Sequence, residues 1–415
     1  MINLEKGLPA MPPANMTGPT TVPLVSSRTH RRRGSAFNHR LFALLLAAFL
    51  FPATSMAETL DVWFGTVTPR DGLSRGIYHA RFDSEAGKLS DVVLAAEIDS
   101  PGFLAMHPAG KVLYSVGSVD GTPSVTAFRI RPGERHSSLE RINSQPIGDG
   151  GAAHLSTDRT GRVLMTAQYG GGSTAIFPLA DDGSIGPRAQ LAKHEGGSGV
   201  VPRRQDSPHA HWVGTSPDNR FAFVPDLGLD QVVIWKLDVE KPSLTAHGFG
   251  ECPPGGGPRH MKFHPNGEVI YVLNELSLSV TAFRYDPEAG SMTPFQTIET
   301  LSEETKAKET FNSASEIRVH PSGQFVYTAN RGHDTITAFR VDPQSFELSL
   351  IEVEPIRGGW PRNFNVDPGG RWLLAAGRDS NTVTVFAIDA ETGELTYTRE
   401  VAMVPTPICV LFGKP

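Results

Sequence analysis

The stretch HPNGEVIYVLNE, residues 264–275, decides the fold because the chain repeats it. His264-Pro265 opens a turn, Gly267 sits where the turn needs a positive φ, and an apolar run from Val269 to Leu273 follows. Five further copies share this pattern. They are HPAGKVLYSVG (107–117), STDRTGRVLMTAQYG (156–170), SPDNRFAFVPDLG (216–228), HPSGQFVYTANRG (320–332) and DPGGRWLLAAGRD (367–379). Their spacing of about 50 residues is that of a radial or linear array of small units. Most copies continue into an alternating strand such as SVTAFRI (124–130), SVTAFRYD (279–286) or TITAFRVD (335–342). Strict alternation marks a half-buried strand. Acid-and-Gly turns and a last polar strand complete each unit.

Each repeat is therefore a four-stranded antiparallel sheet with two faces to cover. Stacking such sheets around an axis covers both faces and leaves only short edges. A linear β-solenoid fits less well, since its coils are about 20–30 residues and lack these hairpins. Residues 60–98 supply one more unit without an innermost strand, and PICVLF from Pro407 is a strand without a unit. Pairing the two predicts an all-β, seven-bladed β-propeller closed by its C-terminal strand. Composition agrees. The 415 residues include 42 Gly and 33 Pro, so turns abound and a helical bundle is excluded, while 39% hydrophobic residues suffice for a core. A net charge of −6 argues against a nucleic-acid surface.

Residues 1–57 read differently. They carry six basic residues against the single acid Glu5, then an uncharged apolar run from Leu41 to Phe51, then Ser55-Met56-Ala57. Basic region, short apolar region and small-residue site, in that order, predict a leader for export. The run is too short to span a bilayer, which needs about 20 residues. The mature part, 58–415, is then one propeller domain without a membrane span, in the periplasm or outside the cell; a false leader would leave it in the cytoplasm.

In a propeller the innermost strands line a central channel, and polar residues at their starts converge on one mouth. Blade 3 offers His154 there; blade 4, His209 and His211; blade 5, Arg259 and His260; blade 6, Glu316; blade 7, Arg362. Alternation places His209 and His211 on one strand face. Ends of second strands add Glu275 and Arg331. His107, His264 and His320 recur with the architecture and read as turn-capping or packing residues. The Gly-rich runs near 170 and 255 open no helix, so they are turns and not phosphate loops.

The segments GPRHMKF, PHAH, SEIRVHPSGQFVYTANRGHDTITAF and PRNFNVDPGGRWLLAAGRDSNTVTVF closely resemble the seven-bladed lactonase family. This is the family of propeller-type 6-phosphogluconolactonases and fungal carboxy-cis,cis-muconate cyclases. The likeness runs from about residue 60 to the C-terminus. It implies His211, Arg259, Glu275 and Arg331 as catalytic residues; the other residues at the strand starts, His154, His209, His260, Glu316 and Arg362, are then expected around the substrate.

These side chains suit a carboxylic ester hydrolase of the 6-phosphogluconolactonase type, acting on a small-molecule sugar δ-lactone. Lactone hydrolysis needs a base for water and positive charge for the oxyanion. His211 or Glu275 would be that base; Arg259 and Arg331 would hold the oxyanion or an anionic substituent. No nucleophilic Ser or Cys motif stands out, and no metal or other cofactor is called for. Two alternatives are a muconate cyclase and a non-catalytic exported binding scaffold. Cys252 and Cys409 fall in blades that are not neighbours, so both are expected as free, buried thiols.

Overall fold

The computed structural model describes residues 59–68 and 72–413. The expected leader, 1–57, lies outside them. Seven antiparallel sheets form the described chain, and in six of them four consecutive strands pair in sequence order. The remaining sheet joins the ends. Pro407–Phe412 pairs with Thr59–Thr66, setting Phe412 opposite Val62 and Cys409 opposite Gly65. The outermost strand of this sheet comes in two pieces, Lys88–Leu89 and Val93–Glu97, both on Gly76–Asp83. The inner strands of successive sheets touch one another around the ring, and between blades 4 and 5 the second strand of blade 4, Phe221–Asp226, meets the inner strand of blade 5. The chain is thus a seven-bladed β-propeller, with its closing strand supplied by PICVLF.

Alternation in the middle strands explains the packing. In Ser279–Asp286 the side chains of Val280, Ala282 and Phe283 are all buried, while Arg284 and Asp286 reach water. Apolar side chains from facing blades meet in seven clusters, one at each blade–blade interface. The cluster around Tyr78 and Phe82 of blade 1 and Leu374 and Val385 of blade 7 also holds Val410 and Phe412 of the closing strand. Ring closure therefore buries apolar surface as well as pairing backbone.

The recurring histidines do two jobs at once. His107, His264 and His320 each accept, through Nδ1, the backbone N–H two residues on: 3.0 Å from Ala109, 3.2 Å from Asn266 and 3.1 Å from Ser322. Because Nδ1 accepts, Nε2 carries the proton in the neutral ring. Each Nε2 donates to a glycine carbonyl in the next blade's turn: Gly161 at 3.2 Å, Gly323 at 3.0 Å and Gly370 at 2.7 Å. Those glycines have φ of 75°, 78° and 72°, and a Cβ at Gly161 would lie 2.4 Å from the His107 ring. Only glycine permits both the left-handed backbone and the approach. In blades 3 and 7, Asp158 and Asp367 stand in the histidine's place and cap their own turns, each accepting two backbone N–H groups through Oδ1.

His320→Ala removes both bonds of one tie and is expected to cost about 2 kcal/mol, at ~1 kcal/mol per hydrogen bond, in urea unfolding. His320→Asp, which keeps the turn cap, should recover part of that loss.

Candidate active site

The cavity at one mouth of the channel owes its lining to a repeated irregularity. In blade 5, Pro258 pairs with Asn274 and His260 with Leu273, so Arg259 is an extra residue in the inner strand. The same slip frees Ala153 in blade 3, Arg362 in blade 7 and Ile408 in blade 1. All four of these side chains line the cavity. A bulge re-aims a side chain that strict pairing would have placed elsewhere. It also lets two consecutive residues, Arg259 and His260, share one cavity. In blade 6 the slip lies between Ala314 and Ile317.

The cavity encloses about 610 Å³. At its centre is the Glu275 carboxylate, held just past the second strand of blade 5 by the bond from its backbone N–H to Gly257 O (2.7 Å). Oε2 faces Arg259 Nε at 2.8 Å and Arg331 Nη2 at 3.0 Å, and Oε1 accepts from Arg204 Nη2 at 2.7 Å. Arg259 also donates to Ser315 O, and Arg331 to Ala314 O at 2.8 Å. Arg362 makes no ion pair and no hydrogen bond among the described residues. The cavity thus holds four guanidinium groups against one carboxylate.

Burial alone would raise the Glu275 pKa. The guanidinium groups of Arg331 and Arg259 outweigh it and hold the carboxyl well below the usual carboxylate range. Burial, then the charge of Arg331, brings Arg259 down to about 9 and Arg362 down to about 10, so both stay protonated at neutral pH. Burial, then Arg259, keeps His211 well below an ordinary imidazole and therefore neutral. His260 follows the same causes, and burial also depresses His154. Four polar atoms of the cavity wall lack hydrogen-bond partners among the described residues: His211 Nδ1, both ring nitrogens of His260, and Arg331 Nε. Elsewhere, the two cysteines are free and buried, and burial pushes the Cys409 thiol up to about 12 and Cys252 higher.

The cavity brings together His211, Arg259, Glu275 and Arg331, with His260 and Arg362 beside them. Three residues expected there lie elsewhere. Glu316 is fully buried one layer deeper, because Ser315 takes the place in blade 6 that Arg259 and Arg362 hold in theirs. His154 sits behind the wall, packed on Phe103 and His260. His209 does not line the cavity, although its segment pairs within blade 4 at Ala210 and Asp226. Its ring instead stacks on Tyr169 at 4.5 Å and bonds Tyr169 O at 2.8 Å.

Several wall residues were not among those expected, Arg204, Tyr169 and Phe311 among them. Arg204 and Phe311 sit in the two longest gaps of the repeat, between Thr157 and Pro217 and between Pro265 and Pro321. Extra length in those gaps was the available signal. The Phe311 ring stacks on Trp360 at 5.4 Å, and the Arg331 guanidinium lies 5.9 Å from the Trp360 ring.

Fold and cavity define a propeller with a small-molecule site at the head of its channel. Residues 61–412 match the family described as Lactonase, 7-bladed beta-propeller, and the chain belongs to that family. The 6-phosphogluconolactonase of Bacillus subtilis is 36% identical over 351 residues, 84% of this chain and 97% of the relative. The 6-phosphogluconolactonase of Formosa agariphila is 33% identical and spans 70% of this chain and 82% of its own. Among solved structures, the periplasmic gluconolactonase of Pseudomonas aeruginosa superposes with a TM-score of 0.79 at 31% identity, covering 86% of this chain and 99% of that one.

Glu275 is the carboxylate that pairs with three of the guanidinium groups. Glu275→Gln should destabilise the fold by about 3–5 kcal/mol, the range for stripping a buried ion pair of one partner, as read by chemical unfolding.

Proposed function

We propose that the protein hydrolyses the δ-lactone of a sugar acid, with 6-phosphogluconolactone as the substrate that best fits its charge. The observation that carries this reading is the excess of cationic groups beside neutral imidazoles. Glu275 neutralises the guanidinium cluster only in part, and Arg362 is left to meet an anionic substituent. The names of the Bacillus and Formosa relatives support the same substrate class.

The chemistry follows from what each group has free. Both oxygens of Glu275 are occupied by guanidinium N–H groups and its carboxyl is a very weak base, so it orients Arg259, Arg331 and Arg204 instead of taking a proton. The base is then an imidazole at the cavity, His211 foremost. Water's oxygen bonds to the lactone carbon while its proton passes to the imidazole. The carbonyl oxygen becomes an oxyanion beside Arg259 and Arg331. The ring C–O bond then breaks, the ring oxygen takes the proton back, and the open-chain acid leaves. The basic, apolar and small-residue order of residues 1–57 supports export, as does the periplasmic Pseudomonas neighbour. Mature protein in a periplasmic or secreted fraction would establish it.

Protein beginning at residue 58 should speed gluconolactone opening above the spontaneous rate, and Arg259→Ala should abolish that gain. Arg362→Met should raise KM for the phosphorylated lactone about tenfold, the ~1.5–3 kcal/mol scale of a charge-assisted hydrogen bond, and change the plain lactone little. A wild-type protein that leaves both lactones at background would establish a binding scaffold instead. Loss of muconate absorbance without lactone opening would establish the cyclase. The pH profile is a separate test. A general base is lost as pH falls through its pKa, and His211 lies well below the usual imidazole value of about 6.5. The rate on unphosphorylated lactone should therefore stay flat down to pH 6; a limb centred near 6.5 would remove His211 from the role.

A further inference from the structure

A second layer of polar side chains stands one residue past the bulges of blades 5, 6 and 7, and its first member also lines the cavity. His260 of blade 5, Glu316 of blade 6 and Asn363 of blade 7 occupy it in turn. Glu316 is 0% exposed and touches no part of the cavity. Asn363 donates to Glu316 Oε2 and accepts, through Oδ1, the N–H of Val410 at 2.8 Å. One layer further down, Lys262 and Arg318 approach the same carboxylate at 4.0 and 3.6 Å. Oε1 accepts the backbone N–H of Ile317 at 3.0 Å and also faces His260, whose Nδ1 lies 3.1 Å away.

His260 links this buried carboxylate to the cavity. Neither of its ring nitrogens has a hydrogen-bond partner, although both are sealed from water. Its ring meets His211 edge-on, with centroids 5.3 Å apart, and the facing imidazole also has an unpartnered Nδ1. Two adjoining rings with vacant nitrogens, ending at a carboxylate, make a place to hold one added proton. The surroundings otherwise resist that proton. Arg259 and Lys262 flank His260 on its own strand, and Arg318 and Arg331 face it from blade 6. His154 adjoins it from blade 3, Arg362 faces His211 from blade 7, and Cys409 approaches Glu316 and Lys262 from blade 1. Glu275 faces His211, but its oxygens are taken. Glu316 also meets Lys262 and Arg318, but it is the carboxylate that touches His260 itself and so can balance an imidazolium there.

We propose that Glu316, acting through His260, is a positioning residue for proton transfer: it stabilises the imidazolium formed when the His211–His260 pair accepts the proton of the attacking water. The inference rests on the lactonase reading above. The proton enters at His211 as the water oxygen bonds to the lactone carbon. The positive charge is shared toward His260 and Glu316, and the proton returns to the ring oxygen when the C–O bond breaks. Nothing is gained or lost over the cycle except water across the ester bond.

The test is a kinetic cycle on the full mature chain with plain gluconolactone. Glu316→Gln is expected to lower kcat at least about tenfold, within the ~10²–10⁴ span of general acid–base effects, with KM unchanged because Glu316 does not reach the cavity. The acid limb of its kcat profile should move to lower pH. Glu316→Asp should retain most of the rate. His260→Gln should show the same fall in kcat, and the double variant should be no slower than either single one. Losses that multiply in the double variant, or a kcat and acid limb unmoved in Glu316→Gln, overturn the proposal while leaving the lactonase reading intact. If Glu316→Gln does not fold, His260→Gln alone decides, and wild-type kcat in that variant overturns the proposal. Wild-type protein without lactonase activity overturns the parent reading, and this one with it.

Discussion

Each blade is a four-stranded sheet that is apolar on both faces, and no blade can hide both faces alone. The fold therefore depends on closure. Pairing of Pro407–Phe412 with Thr59–Thr66 gives the first blade its inner strand and completes the cluster between blades 1 and 7. Hydrophobic burial is the driving term, and hydrogen bonds decide geometry. Tyrosine hydroxyls illustrate the second role. Tyr114, Tyr271 and Tyr327 are buried in blade cores, yet each donates across an interface to a backbone carbonyl, at 3.0, 2.8 and 2.9 Å. Together with the histidine ties they fix how each sheet sits against the next.

The same closure makes the channel, and one local departure from regular pairing makes the site. A propeller strand that obeyed strict alternation would offer the channel every second residue. The inserted residue near the start of the inner strands of blades 1, 3, 5 and 7 gives the mouth an additional side chain from each of them. Arg259 and Arg362 arise this way, and so does the apolar Ile408 on the opposite side of the wall. The cavity combines charge and apolar surface because different residue types occupy one structural position around the ring.

The fold was legible because it is repetitive: a turn motif and an alternating strand, each present several times, outvote any single ambiguous segment. The site was legible where its residues ride on the repeat. Arg259, Glu275 and Arg331 occupy strand ends whose position the motif defines. Glu316 was misplaced because the slip between Ala314 and Ile317 puts Ser315 in the bulge position and Glu316 one residue beyond it, and a bulge cannot be counted from side-chain character alone. His209 was misplaced because its ring is taken up by Tyr169, a neighbour that side-chain spacing does not reveal. Arg204 and Phe311 come from insertions, where no internal copy exists for comparison.

The pairing of a strand near residue 60 with one near residue 410 also has a temporal side. A nascent chain emerging from the ribosome can assemble blades 2 to 7 in order, since each is contiguous in sequence. Throughout that time Thr59–Thr66 presents an unsatisfied edge, and exposed edges invite pairing with other chains. Only when the residues beyond Pro407 have emerged can the annulus seal. The last step of maturation is thus a single long-range docking event, and it leaves both ends of the propeller stitched into one sheet, where fraying from either end must first unzip the ladder it shares with the other.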